Sequence, residues 1–192
     1  MVALVRVISF YTKDTPYVEE ALRLVGSCAN HSIPTSILPR PNLGNWSLNC
    51  HQKPGFIREQ LHAAEEPVLW LDADAEVMAP LDDAWIRDAG VDFAASWRPM
   101  SSHSELLSGT TWWNFTEGAF KLLTEWEKEC RMNPGVWDQK HLQYALGMCP
   151  DVQDLRLPIA WTWIEDLFRC ENPDVEPIVV HHQASRRLRK KI

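Results

Sequence analysis

The 192-residue sequence predicts a single α/β domain, in which helices flank a central sheet that is mixed but mostly parallel. Two observations carry this prediction. Through the first half of the chain, apolar segments of strand length alternate with amphipathic segments of helix length, as in successive βαβ units. The length and the 45% share of apolar residues suit one hydrophobic core and leave no room for a second domain. We expect this domain to span residues 1–185, followed by a basic tail over residues 186–192.

The chain opens with a predicted strand and a predicted helix. Val2–Phe10 is a nearly continuous apolar run rich in β-branched residues, which is typical of a strand buried on both faces of a sheet. Tyr17–Ala29 has the spacing of apolar residues that an amphipathic helix requires. The residues expected on its buried face are Ala21, Leu22, Val25 and Cys28.

A second strand, a helix and a third strand follow. A short apolar run at Ser36–Leu38 predicts the second strand, and the Pro, Asn and Gly residues of Pro39–Gly55 predict a loop. Pro54 suits the first turn of a helix that Pro67 ends. Val68–Leu71 has the composition of a central strand buried on both faces. The order β-α-β-α-β predicts a parallel, Rossmann-like arrangement.

The second half of the chain mixes shorter elements. Its apolar patterns predict a strand at Val91–Ser96 and helices over Thr116–Met132 and Val136–Gly147. Two further strands are predicted at Val152–Leu157 and Ile178–His181. This half therefore extends the sheet without starting a new domain.

Charge and cysteine content limit the class of protein. The net charge is −7, although five cations lie in the last seven residues, so the body of the chain is acidic and its end basic. The five cysteines form no C-x-x-C pair, and an odd number is unusual for a secreted disulfide framework. We expect reduced thiols, a cytoplasmic location and, without an apolar run of about 18 residues, no transmembrane segment.

The strongest functional signal is the motif Asp72-Ala73-Asp74 at the end of the predicted strand Val68–Leu71. Residues i and i+2 of an extended segment face the same side, and open α/β sheets bind ligands at the carboxyl ends of their strands. Two like charges so close repel unless a cation lies between them, and hard oxygen ligands suit Mg²⁺ or Mn²⁺. The motif therefore predicts a divalent cation that would in turn hold a diphosphate.

The motif also has other interpretations. It can be a polar turn that simply follows a strand. An EF-hand loop is disfavoured, because Val77 occupies the position that needs glycine for the sharp turn. A phosphatase of the haloacid dehalogenase type usually carries the motif after its first strand with Thr or Val two residues beyond the second Asp, where this chain has Glu76.

Further segments, taken with this motif, extend the signal over most of the chain. They are Phe10-Tyr11-Thr12 with Tyr17, Lys53-Pro54-Gly55-Phe56-Ile57, Leu71-Asp72-Ala73-Asp74-Ala75, Ser108-Gly109-Thr110, Trp137-Asp138-Gln139 and His181-His182-Gln183-Ala184-Ser185-Arg186. In this order and with these spacings, the chain resembles the GT-A type nucleotide-diphospho-sugar transferases. The resemblance implies a GT-A domain that binds a nucleotide sugar.

The resemblance also implies which residues bind the donor: Tyr11, Thr12, Lys53, Asp72, Gly109, Thr110, Ser185 and Arg186. Tyr11 and Thr12 would line the nucleoside pocket, or else pack within an ordinary loop. An ammonium at Lys53 beside a helix N-terminus would offer an anion two sources of positive potential, although a solvated surface lysine is the alternative. Gly109 would let the backbone approach the sugar closely.

The chain end carries the third expected metal ligand. Retaining enzymes that resemble glycogenin and the bacterial galactosyltransferases use a C-terminal histidine beside the two aspartates, and His181 matches it best, joining Asp72 and Asp74. This chain lacks the Gly and Lys-Pro-Trp that follow there, so His182 stays open as the ligand, as does a histidine pair with only local hydrogen bonds. An imidazole in the site would favour Mn²⁺ over Mg²⁺.

Two residues at a helix start would take part in transfer. By the resemblance, Asp138 binds a donor-sugar hydroxyl or acts as a base, and Gln139 lies beside the reacting face. The alternative is that Asp138 only complements the helix dipole. At the end of the chain, Ser185 and the first tail residue Arg186 would contact the donor, and Arg189 to Lys191 of the basic tail would contact an anionic acceptor, unless the end is frayed.

The predicted function is a metal-dependent transfer of a sugar from a nucleotide-diphosphate sugar, with uridine diphosphate expected, to an unidentified acceptor. The acceptor can be a glycan, a small molecule or a nucleic acid, and the glycogenin-like segments lean to retention of configuration. The alternatives are a non-catalytic module that binds sugar nucleotides or glycans, and a nucleotidyltransferase. Of the ten tryptophans, Trp70 and Trp126 are expected in the core and one or two others at the acceptor.

Overall fold

The computed structural model describes residues 5–188, in which strands and helices alternate along the chain. The strands are β1 (Arg6–Thr12), β2 (Thr35–Arg40), β3 (Val68–Leu71), β4 (Ala75–Val77), β5 (Phe93–Pro99), β6 (Ser104–Trp113), β7 (Asp154–Leu157) and β8 (Val179–His181). The helices are α1 (Tyr17–Asn30), α2 (Trp46–Cys50), α3 (Lys53–Ala64), α4 (Ala84–Asp88), α5 (Glu117–Met132), α6 (Asp138–Met148), α7 (Glu165–Phe168) and α8 (Ala184–Leu188). None of the helices in this described part is both long and apolar enough to cross a membrane.

Six strands form the central sheet, in the order β2-β1-β3-β6-β5-β7. β1 pairs in parallel with β2 and β3, and β7 pairs in parallel with β5, whereas β6 runs antiparallel between β3 and β5. The predicted α/β class, with a mixed and mostly parallel sheet flanked by helices, is confirmed. The sequence pattern does not predict β6, because this strand begins with polar residues and contains the polar segment Ser108–Thr111.

Alternate residues of the central strands face two hydrophobic cores, one on each side of the sheet. In β3, Val68 and Trp70 belong to the core that also contains side chains of α3, α5 and α6. Leu69 and Leu71 belong to the core that contains side chains of α1. Both faces of this strand are therefore buried, as its uninterrupted apolar run predicts.

The buried face of α1 differs from the predicted one. Leu22 is 66% exposed and Val25 is 40% exposed, so the prediction that both are core residues is wrong, although the other two predicted residues are buried. Leu24 faces the core instead. The polar residues Glu20 and Ser27 share this face because each has a partner: Glu20 pairs with two arginines, and the Ser27 hydroxyl accepts a hydrogen bond from a backbone N–H of β4.

Buried tryptophans connect the helices to the sheet. Trp70 and Trp126 are both in the core, as predicted. Trp126 stacks on Trp113 with 6.0 Å between ring centroids, and its Nε1–H donates to the backbone oxygen of Asp138 at 2.9 Å. A buried indole N–H needs such a partner, and here the bond fixes the start of α6 to α5. Further tryptophans are buried as well: Trp112, Trp113, Trp161 and Trp163.

A separate two-stranded sheet brings the end of the chain to the centre of the fold. β4 and β8 pair antiparallel, with Ala75 opposite His181. Because β4 begins directly after Asp74, this pairing places β8 beside the Asp-x-Asp motif. Helix α8 then crosses the predicted boundary at residue 186, and the predicted tail residues Arg189, Lys190 and Lys191 lie outside the described residues.

Candidate active site

A cleft of about 280 Å³ opens at the carboxyl ends of β1 and β3. Most of the predicted site residues line it: Tyr11, Thr12, Lys53, Asp72, Asp74, Asp138, Gln139 and Ser185. Parallel strands end together at one edge of a sheet, which is where open α/β folds bind ligands. The fold therefore gathers side chains from distant parts of the sequence at the edge that the Asp-x-Asp motif indicates.

Lys53 lies at the centre of this group as a buried cation. Its Nζ is 2.8 Å from Asp72 Oδ1 and 2.7 Å from Asp138 Oδ2. Burial disfavours the charged ammonium, but the two carboxylates outweigh it and hold the pKa of Lys53 above its usual range. The lysine is thus an ammonium that bridges α6 and the strand-end motif, and it is not a solvated surface residue.

Asp74 is held by the end of the chain. The backbone N–H of Ala184 donates to Asp74 Oδ2 at 2.7 Å, and His181 Nδ1 lies 3.8 Å from Asp74 Oδ1. Burial opposes ionisation, yet the nearby His181 imidazole and the hydrogen bond from the Ala184 N–H lower the pKa of the Asp74 carboxyl. Asp74 is therefore an ionised carboxylate fixed in orientation by residues more than a hundred positions away.

The structure places His181, rather than His182, beside the aspartates. Ligand atoms of Asp72, Asp74 and His181 all lie within 4.8 Å of one another. His182 instead directs Nε2 to Glu76 Oε2 at 2.7 Å and is half-exposed. His181 is the last residue of β8 and His182 directly follows it, so the alternation of side chains in extended backbone directs the two imidazoles to opposite sides.

Gly109 and Thr110 support His181 from strand β6. A Cβ atom at position 109 would lie 2.9 Å from Cε1 of His181, so only glycine allows the ring to approach the strand this closely. Thr110 is fully buried, and its Oγ1 is 2.8 Å from His181 Nε2. The structure thus places both residues behind the histidine and not among the residues that line the cleft.

Asp138 and Gln139 begin helix α6 at the opposite wall of the cleft. Asp138 Oδ2 accepts a hydrogen bond from the Ser108 hydroxyl at 3.3 Å in addition to the contact with Lys53. Gln139 Oε1 accepts from the Ser108 backbone N–H at 3.2 Å, and its Nε2 donates to Glu105 at 3.1 Å. Both predicted catalytic residues are therefore oriented by strand β6, which the sequence pattern does not reveal.

The remaining wall is built from the end of β1, the start of α1 and helix α2, and α2 lies within the predicted loop Pro39–Gly55. Thr12 is buried and its Oγ1 is 2.9 Å from Thr15 Oγ1, while Tyr11 is half-buried. Burial raises the pKa of Tyr17, so this cleft-lining phenol stays protonated. Trp46, the first residue of α2, also lines the cleft. The start of this helix could be anticipated from its N-cap residue, because the side chain of Asn45 accepts hydrogen bonds from two backbone N–H groups of the helix.

Arg186 does not line the cleft. Its Nη1 is paired with Asp166 Oδ2 at 2.5 Å, and the side chain is half-exposed. Ser185, one residue earlier, does line the cleft. The described part of the basic end therefore divides between the cleft wall and a surface ion pair.

Comparisons with known proteins bear on the fold. A comparison with protein-family models finds no match, and neither does a comparison with curated proteins. Among solved structures, a glycosyltransferase involved in the glycosylation of the major capsid of PBCV-1 superposes with a TM-score of 0.72 at 16% identity, covering 94% of this chain and 93% of that one. The glycosyltransferase GlyE of Streptococcus pneumoniae TIGR4 gives 0.59 at 15% identity, covering 93% of this chain and 55% of its own. The chain thus shares the fold of two glycosyltransferases and spans about half the length of the second.

Proposed function

We propose that the protein is a metal-dependent glycosyltransferase of the GT-A type that takes a sugar from a nucleotide-diphosphate donor. The observation that supports this most is the convergence of Asp72, Asp74 and His181, whose ligand atoms lie within 4.8 Å of one another at the edge of a strand-end cleft. The fold shared with two glycosyltransferases agrees with it. The acceptor is a glycan, a small molecule or a nucleic acid.

The donor atoms of this group fit a divalent cation. Asp72 engages Lys53 and Trp70 through Oδ1, which leaves Oδ2 for a metal, and His181 engages Thr110 through Nε2, which leaves Nδ1. With Asp138, the site holds three carboxyl groups and one ammonium, a formal net charge of −2 when all three carboxyls are ionised and the histidine is neutral. Two carboxylates and an imidazole suit Mn²⁺ better than Mg²⁺. Such an ion supplies Lewis-acid stabilisation of the charge on the departing diphosphate.

The chain's own residues divide the remaining tasks between the two walls. Tyr11 and Thr12, at the end of β1, are proposed to hold the nucleoside. Lys53 keeps Asp72 and Asp138 at fixed positions and adds positive potential where phosphate would lie. Ser185 contacts the diphosphate from the chain end.

Asp138 and Gln139 are proposed to act on the transferred sugar. Asp138 binds a sugar hydroxyl, since its carboxylate is already oriented by Lys53 and Ser108. Gln139, fixed by Ser108 and Glu105, lies on the reacting face. Retaining transfer can proceed without a base on the acceptor, so this assignment agrees with the retention of configuration that the sequence favours.

Calorimetry and thermal unfolding test the donor and metal assignments. Uridine diphosphate should stabilise the protein only when Mn²⁺ is present, by about 2.7 kcal/mol at a ligand concentration a hundred times the dissociation constant. Asp72→Asn and Asp74→Asn should lose this effect, whereas the exposed control Asp151→Asn should keep it. Equal stabilisation in excess chelator would contradict the metal assignment.

Turnover distinguishes the proposed enzyme from its two rivals. A glycosyltransferase should release nucleoside diphosphate from a nucleotide sugar as it transfers the sugar to an acceptor or, more slowly, to water. Metal-dependent binding without release on any acceptor would favour a non-catalytic binding module. Release of pyrophosphate from a nucleoside triphosphate and a sugar phosphate would favour a nucleotidyltransferase.

A further inference from the structure

A second cluster of metal-binding side chains lies outside the cleft. His51, Cys130 and His141 each offer one ligand atom, and these atoms lie within 4.8 Å of one another. Cys130 and His141 are buried, and His51 is half-buried. None of the three lines the cleft, so the cluster is separate from the candidate active site.

Hydrogen bonds to the loop between α5 and α6 orient both imidazoles. His51 Nε2 is 2.7 Å from the backbone oxygen of Val136, and His141 Nε2 is 3.0 Å from that of Asn133. A carbonyl oxygen only accepts, so each Nε2 carries the proton. In a neutral imidazole the other nitrogen, Nδ1, then presents a lone pair. Metal-bound histidines characteristically donate their second N–H to a carbonyl or carboxylate in this way.

We propose that His51, Cys130 and His141 bind a zinc ion through two Nδ1 atoms and one thiolate. Two nitrogens and one sulfur suit Zn²⁺, whereas Mg²⁺ and Ca²⁺ require oxygen. Binding replaces the Cys130 thiol proton by a zinc–sulfur bond and releases that proton to solvent. Because His51 is half-buried, water can reach the fourth tetrahedral position.

The spacing of the donor atoms is compatible with this ion. Zinc bonds of about 2.0–2.3 Å in tetrahedral geometry place donor atoms roughly 3.3–3.8 Å apart. One nitrogen of each histidine and the Sγ of Cys130 already lie within 4.8 Å of one another, so side-chain movements of about 1 Å or more would bring the donor atoms to these distances. The two histidine rings already contact each other edge to face, with 5.3 Å between centroids.

The elements that carry these ligands suggest a structural role. His51 follows α2 and lies two residues before Lys53, Cys130 is in α5, and His141 is three residues after Asp138 in α6. A zinc ion would therefore join the turn between α2 and α3 to helices α5 and α6. That turn leads directly into Lys53, which forms the ion pair of the cleft with Asp138 of α6. The zinc ion would stabilise the wall of the cleft without contacting molecules bound in the cleft.

Cobalt substitution distinguishes this site from the cleft. The full chain, without a histidine tag and kept reduced, is titrated with Co²⁺ while absorption is recorded, because a thiolate bound to Co²⁺ gives a ligand-to-metal charge-transfer band that carboxylates and imidazoles do not give. We expect the band in the wild-type chain and in Asp72→Asn. The band should be absent in Cys130→Ala. In the wild-type chain, added Zn²⁺ should abolish the band by displacing one Co²⁺ ion.

Matched variants control for folding and for other thiols. Cys149→Ala and His62→Ala remove a buried thiol and an imidazole outside the cluster, and both should keep the band. His51→Ala, which removes a half-buried side chain, should weaken Zn²⁺ affinity at least tenfold while circular dichroism stays native. The proposal is overturned if the wild-type chain shows no thiolate–cobalt band, or if folded Cys130→Ala binds Zn²⁺ as tightly as the wild-type chain at this site.

Discussion

Replacement of Gly109 by alanine tests whether close packing of His181 on β6 sets the geometry of the candidate metal site. The added Cβ would lie 2.9 Å from Cε1 and 3.1 Å from Nδ1 of His181, whereas carbon atoms normally approach to about 3.5–4.0 Å. The ring must therefore move by roughly half an ångström or more. Its freedom is small, because His181 is 4% exposed and its Nε2 is bonded to Thr110.

The expected cost follows from this crowding. Overpacking of a filled site destabilises by about 1–3 kcal/mol, so with a urea dependence of about 2 kcal/mol per molar the unfolding midpoint should fall by about 1 M. Nδ1 is the atom that the proposal assigns to the metal, and it is one of the two atoms displaced. Affinity for Mn²⁺ in calorimetry should therefore fall at least about tenfold, the effect expected when the support of a ligand is lost.

Two further variants identify the contact responsible. Gly147→Ala, in an exposed position of α6 with no atom within 4 Å of the new Cβ, should be unchanged or more stable by up to about 1 kcal/mol. In a His181→Ala background, Gly109→Ala should cost little, since the ring that it would crowd is gone. The reasoning is refuted if Gly109→Ala retains wild-type stability and Mn²⁺ affinity, or if its cost is the same in both backgrounds.

Three other outcomes are expected. His181→Ala should weaken Mn²⁺ binding at least tenfold in calorimetry while His182→Ala changes it little, and the reverse order would move the ligand to His182. Asp138→Asn should lower the rate of transfer by about 10- to 150-fold, the loss of one charge-assisted hydrogen bond of about 1.5–3 kcal/mol, and should lower donor affinity by less. Wild-type turnover would return Asp138 to a helix-start role. In thiol titration at pH 8 the exposed Cys170 should react fast, whereas Cys28, whose pKa burial raises to about 12, should react only on unfolding; a fast phase that survives Cys170→Ser would contradict this.

The sequence predicts those elements whose burial follows from a local pattern of apolar residues. β3 is visible because Val68–Leu71 is apolar at every position, and a strand buried on both faces has that composition. β6 cannot be recognised from the sequence pattern, because it contains polar residues that are buried only through specific partners, such as Thr110 with His181. The face of α1 is misassigned for the same reason, since Glu20 and Ser27 are buried against partners that lie far away in the sequence.

The candidate sites show the same limit. Asp72 and Asp74 form a motif because both come from one strand end, and residue spacing alone places them together. The grouping of His51, Cys130 and His141 has no counterpart in the sequence, because their spacing follows no known ligand pattern. Only the packing of α2, α5 and α6 brings them together, and that packing depends on the whole core.

Asp72, Asp74 and Asp138 each have a partner within the chain, so the carboxylates of the cleft are oriented before any cation binds. Asp72 and Asp138 share the ammonium of Lys53, and Asp74 has the Ala184 N–H and His181. Without these partners, like charges at one strand end would repel and the edge of the sheet would have to rearrange when a cation binds. Because each carboxylate is already oriented, a cation would meet a site in which the charge and geometry of the free protein are close to those of the complex. The same arrangement predicts a large loss of stability when Lys53 is replaced, because two carboxylates then lose their ammonium partner. Removing one partner of a buried ion pair lowers the free energy of unfolding by about 3–5 kcal/mol.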